Sequence, residues 1–156
     1  MASSVATDKI ATNWYIKNYD HDPGVNSVLV LSADGGTTQK WIDLRDYDHV
    51  AYLAVPTAGT TPNITLMEII ASETETTTNA VQIKTSGAVT VTALTGGVFV
   101  ECSAEEVAHL ATTYALRYVT ARLTQAGHAN DNEAQVIVMA RARKPVDTLT
   151  AATWNT

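Results

Sequence analysis

Four places in the 156-residue chain gather side chains capable of chemistry. The first is Asp20-His21-Asp22, two carboxylates around an imidazole, followed by Gly24 and Asn26. The run D-x-D-x-G-x-N is superficially similar to a calcium loop, yet an EF-hand needs glycine at its sixth position and a bidentate glutamate at its twelfth. Val25 and Leu31 stand at those positions, and Asp22 before Pro23-Gly24 is an ordinary turn former. A turn without a metal ion is the expectation. The second place is Asp46-Tyr47-Asp48-His49. Neighbours along a strand point to opposite faces, so Asp48 and His49 are expected in a solvated bend rather than in one pocket.

The third is Cys102 with His109, a thiol and a base. A nucleophilic dyad needs hydrogen-bond reach and a group that orients the base. Here the two flank a short helix, so Cys102 reads as a small buried hydrophobe and His109 as a surface residue. As the one cysteine of the chain, Cys102 excludes an intramolecular disulfide and a cysteine-based zinc site. The fourth is Arg141-Ala-Arg143-Lys144, a basic strand end suited to solvent or to an acidic partner surface. The glycine pairs Gly35-Gly36 and Gly96-Gly97 lie between strands, without the helix start that phosphate binding requires. Nucleophile elbows, Walker loops and paired-cysteine motifs do not occur. No catalytic residue, metal ligand or cofactor is assigned, and the chain reads as a non-enzyme.

Charge narrows the partners. Sixteen acids outnumber ten bases, giving a net charge of −6, which disfavours the basic face that nucleic acid needs. No apolar run approaches the roughly 20 residues of a membrane span. Met1 to Asp8 lacks the basic start and apolar stretch of a secretory signal, so synthesis and assembly in a reducing cytoplasm are expected.

The elements around these residues read as strands. Hydrophobic residues make up 46% of the chain and charged residues only 17%, below the roughly 25% of ordinary soluble domains. Threonine, β-branched, fills much of the polar remainder, as in Thr76-Thr77-Thr78. Strands are expected at 28–31, 41–44, 49–55, 64–71, 81–84, 89–93, 98–102, 114–124 and 133–143, with Gly and Pro between them. Both faces of 64–71 are apolar, which makes that strand central. Ser103-Ala-Glu-Glu106 is a capping box, opening a helix of about two turns over 104–110. The fold class is therefore all-β: an antiparallel β-sandwich or jelly roll with one short helix and extended terminal arms. Residues 1–27 form an N-terminal arm with at most one short strand near 14–16, 28–145 the sandwich, and 146–156 a tail.

The arms carry Trp14, Tyr15, Tyr19 and Trp154 in segments too polar to build a core alone. Aromatics are enriched among interface anchors, so these four are the candidate interface residues.

Two stretches carry a resemblance. Trp41-Ile-Asp-Leu-Arg-Asp-Tyr47 leads into the strand at 49–55. Cys102-Ser-Ala-Glu-Glu-Val107 precedes Tyr118-Val-Thr-Ala-Arg-Leu123 and the apolar strand 136–140. Over residues 38–145 the chain resembles small virion proteins of tailed bacteriophages, of the head-decoration type. That resemblance implies a β-sandwich without an active site that binds the outer surface of a capsid and cements neighbouring subunits. It implies the major capsid protein as partner, a homo-oligomer or symmetric array, and a place on the virion after assembly in the bacterial cytoplasm. A head–tail connector or tail component, or a carbohydrate-binding module, are the alternatives.

Overall fold

The computed structural model describes residues 14–21, 28–32, 38–57, 63–92, 96–126 and 134–143. In chain order its elements are β1 (Trp14–His21), β2 (Val28–Val30), β3 (Ile42–Asp43), β4 (Tyr47–Pro56), β5 (Asn63–Ser72), β6 (Val81–Thr85), β7 (Val91–Thr92), β8 (Val98–Ser103), α1 (Ala104–Leu110), β9 (Tyr118–Ala126) and β10 (Ala134–Ala142). They build an all-β sandwich of two antiparallel sheets, as the strand spacing implies. Sheet A has the order β1-β10-β4-β8. Sheet B has the order β2-β9-β5-β6, with β3 also on β9 and β7 also on β5.

Alternation explains the core. From sheet A, Val50, Tyr52, Ala54, Val98, Val100, Cys102, Val136, Val138 and Ala140 point inward. From sheet B they meet Ile64, Met67, Ile69, Ala71, Val119, Ala121 and Leu123, all buried. Each fully buried Val, Leu, Ile or Met side chain among them contributes about 1.5–3 kcal/mol from leaving water. β5 and β10 are central strands, flanked on both sides within their sheets.

The capping box forms at the expected place. Ser103 Oγ accepts from Glu106 N at 3.1 Å, and Ser103 N donates to Glu106 Oε2 at 2.9 Å. α1 runs over Ala104–Leu110, with Val107 buried against the core.

Three readings change. The strand near 14–16 continues to His21 and joins sheet A through eight successive pairs with β10. Its inward row is Tyr15, Lys17, Tyr19 and His21, so the alternation is real but written in polar letters. The strand expected from Tyr114 starts at Tyr118. Before it the backbone is held by other segments: Ala115 N donates to Glu73, Arg117 N to Ser72 O, and Leu44 N to Arg117 O. Finally, Asp48 and His49 do share a face. A bulge sets Arg141 opposite His49 and Ala142 opposite Tyr47, so Asp48 is an extra residue and alternation breaks there.

The segment before β4 ties the two sheets. Asp43 is buried and accepts from Arg45 Nε at 2.9 Å and from Arg117 Nε at 2.9 Å. Arg143 Nε donates to Leu44 O at 2.8 Å. The acid-base alternation of Asp43-Leu44-Arg45 is thus a structural clasp between β3, β9 and the end of β10.

Candidate interaction surface

The outer face of sheet A carries apolar residues, two of the four exposed large hydrophobics of the described residues, Ile16 and Phe99, among them. Strand parity fixes its membership, because residues facing away from the core recur at every second position. Reading across β1, β10, β4 and β8, one row is Ile16, Met139, Ala51 and Glu101. The next is Asn18, Ile137, Leu53 and Phe99. Val55 follows on β4, opposite Gln135. Ile16 is 54% exposed and Phe99 49%, large fractions for apolar side chains. Met139, Ile137, Leu53 and Val55 are half-buried.

Gly97 shapes one corner of this face. A Cβ there would lie 2.9 Å from Ala54 O, Leu53 Cδ1 and Val55 Cγ2. That approach is possible only without a side chain, and it packs β8 closely beneath Leu53 and Val55.

Both ends of the face are polar, and their groups are paired within the chain. At one end Arg141 donates to both carboxylate oxygens of Asp48, at 2.8 and 3.2 Å. Beside it His49 Nε2 lies 3.0 Å from Glu101 Oε2, and the Trp14 ring meets His49 edge-on at 6.0 Å. At the other end Asn18 donates to Gln135, whose amide donates to Asp20 at 2.9 Å. Covering this surface would therefore leave none of these paired groups without a partner, and unpaired buried groups are the main cost of closing an interface.

The four aromatics singled out in the sequence divide. Trp14 borders the open face, half-buried. Tyr15 turns inward against the core, and burial raises its phenol pKa. Tyr19 is 4% exposed and belongs to the core itself, where burial pushes its phenol far above the ordinary range. It anchors β1 to its own sandwich. Trp154 lies outside the described residues.

The chemical candidates separate as well. Asp20 is exposed on the outer face, whereas His21 is fully buried with Nδ1 3.0 Å from Ser32 O; Asp22 lies outside the described residues. Among the described residues no three His, Cys, Asp or Glu side chains are placed to hold a metal ion. Cys102 is fully buried, and burial pushes its thiol up to about 12, which keeps it neutral. His109 is exposed on the last turn of α1, lining a shallow cleft with Ile83, Lys84, Ser103, Glu105, Glu106 and Leu110. Two charges of that cleft are committed to each other: Lys84 pairs with Glu106, which also closes the capping box. Of the basic cluster, Arg141 and Arg143 bind their own chain, and Lys144 lies outside the described residues.

Among the described residues, the strand aromatics that could stack on a sugar do not gather on one face. Tyr52 is fully buried, Tyr114 and Tyr118 are half-buried, and Phe99 stands apart from them on sheet A.

The residues of the open face, Ile16, Leu53, Phe99, Ile137 and Met139, are absent from the sequence-based candidates. The signal that finds Leu53, Ile137 and Met139 is apolarity at both parities in 49–55 and 136–140, the same sign that marks 64–71 as central. Compared with known proteins, the chain matches no family model and no curated sequence.

Proposed function

We propose that this chain is a non-enzymatic virion structural protein that binds the outer surface of a phage capsid and cements neighbouring subunits. The observation that carries this reading is the open outer face of sheet A, apolar at its centre and self-satisfied at its polar ends. A surface of this make-up has the anatomy of a protein interface. Contiguous exposed apolar patches of this kind mark interaction sites on soluble domains. Attachment buries Ile16, Ile137, Leu53 and Phe99 against a capsid subunit. Repetition by shell symmetry multiplies a contact that is modest in one copy. The net charge of −6 suits the outside of a shell better than the wall that faces packaged DNA.

The test is co-sedimentation of the purified protein with expanded tailed-phage shells that lack a decoration protein. Saturable binding at a fixed ratio to the capsid protein, with a raised shell melting temperature, is the expected result. Phe99→Glu places a charge at the centre of the face and is expected to weaken binding at least tenfold. Its own melting temperature should stay within about 2 °C of wild type, because an exposed substitution changes stability by less than about 0.5 kcal/mol. No binding, or equal binding by the variant, overturns the reading in favour of a connector or another partner class.

A further inference from the structure

The strands at the sheet edges are unequally protected. Unpaired edge strands invite pairing with another chain, and natural sheets blunt them by shortness, bulges, covering elements or charges. β2 has three residues. β6 has five and meets β5 through a bulge between Ile69 and Ile70. β8 is packed by β6 and by α1, which follows it directly.

Among the described residues β1 is neither short, bulged nor covered, and its charges are Lys17 on the inward row and Asp20 on the outer face. It is eight residues long, lacks proline, and matches β10 through eight consecutive pairs without a register shift. Among the described residues it pairs with β10 alone. Its one lysine, Lys17, turns its ammonium over the Tyr19 ring of the same strand, 5.0 Å from the centroid.

We infer that β1 is a homodimerisation edge, pairing antiparallel with β1 of a second copy about a twofold axis perpendicular to sheet A. Such an axis sets residues of the same face opposite each other, so it passes beside a single residue. Two registers pair seven residues of the strand, one centred on Lys17 and one on Asn18. The first opposes two lysines across the axis, and like charges directly opposite are destabilising. The second opposes Asn18 to Asn18, Lys17 to Tyr19, Ile16 to Asp20 and Tyr15 to His21, with no like-charged pair. The Asn18 register is therefore the one the sequence permits. The product is a continuous eight-stranded sheet, because each copy supplies a four-stranded one. It also sets both apolar outer faces on the same side, side by side. The inference stands on the strand itself and does not depend on shell attachment.

The experiment is sedimentation velocity on the full chain from about 1 µM to about 1 mM, the range of weak pairs. A monomer–dimer equilibrium is expected for wild type. Asn18→Lys and Asn18→Asp each set like charges on the axis, and each should weaken dimerisation by about fivefold or more. An equimolar mixture of the two should recover it as a heterodimer, which shows that both variants fold and fixes the register. A wild-type chain that stays monomeric throughout overturns the inference, as does a dimer indifferent to both substitutions. A monomer that still sediments with shells overturns the dimer and leaves the proposed function standing. A dimer that ignores shells does the reverse.

Discussion

The outer faces of the two sheets are treated in opposite ways. On sheet B the segment leading to β3 lies across the strands. Trp41 is 2% exposed and packs with Val30 and Ile70 as a second small core, joined by Ala80 and Tyr118. Thr120 Oγ1 donates to Lys40 O at 2.6 Å, and Arg122 donates to the buried Glu68 at 2.8 Å. Sheet B thus carries its own lid, and Ile70 is 1% exposed although it points away from the main core. Sheet A carries apolar residues of the same kind on its outer face, and no described segment crosses them. The described residues finish one face; no described residue covers the other.

Substitutions can break or sharpen this contrast. The largest effect is expected from Trp41→Ala, which removes the lid of sheet B. Truncating a buried Trp costs about 3–5 kcal/mol, so the melting temperature should fall by about 10 °C or more. A smaller loss would show that the second cluster only decorates sheet B. Asp43→Ala comes next, because it leaves Arg117 and Arg45 without their shared carboxylate; the hydrogen bond to Asp43 is the main cause that raises the Arg117 pKa further above its ordinary value. Since both guanidiniums retain access to water, the expected loss is about 2 kcal/mol, read as a lower urea midpoint at unchanged slope.

Lys84→Met is smaller and depends on pH. The Lys84 hydrogen bond, followed by the Ser103 backbone, holds the Glu106 carboxyl below the usual carboxylate range. A carboxyl with a lowered folded pKa stabilises above its unfolded pKa, and that contribution is lost as pH falls through the folded value. The stability gap between wild type and the variant should therefore be present near pH 7 and close below about pH 4. A gap constant with pH would assign the role of Lys84 to packing. Phe99→Glu closes the series with almost no effect on stability, the signature of a face unused within the monomer.

Much of this was legible in the sequence. The capping box, the apolar runs and the turn residues marked α1 and most strands, because local chemistry dictates them. β1 was half legible: its inward row of Tyr15, Lys17, Tyr19 and His21 alternates correctly, but the pattern is hidden from any count of aliphatic residues. The bulge at Asp48 depends on the partner strand and leaves no local mark. The open face was missed for a related reason. Apolar residues at both parities announce double burial, and nothing along the chain says that Trp41 covers one sheet while no described residue crosses the other.

The strand order also sets a timetable. β10 lies between β1 and β4, and β9 between β2 and β5, so the last strands in sequence are the ones that join the first. During synthesis β1, β2 and β3 wait for partners that emerge at the end. Folds dominated by such distant pairings close slowly, and their early strands spend that interval open to unwanted pairing. The polar lettering of β1 then acquires a second role: a strand of Tyr, Lys, Asn and Asp can wait in water without aggregating.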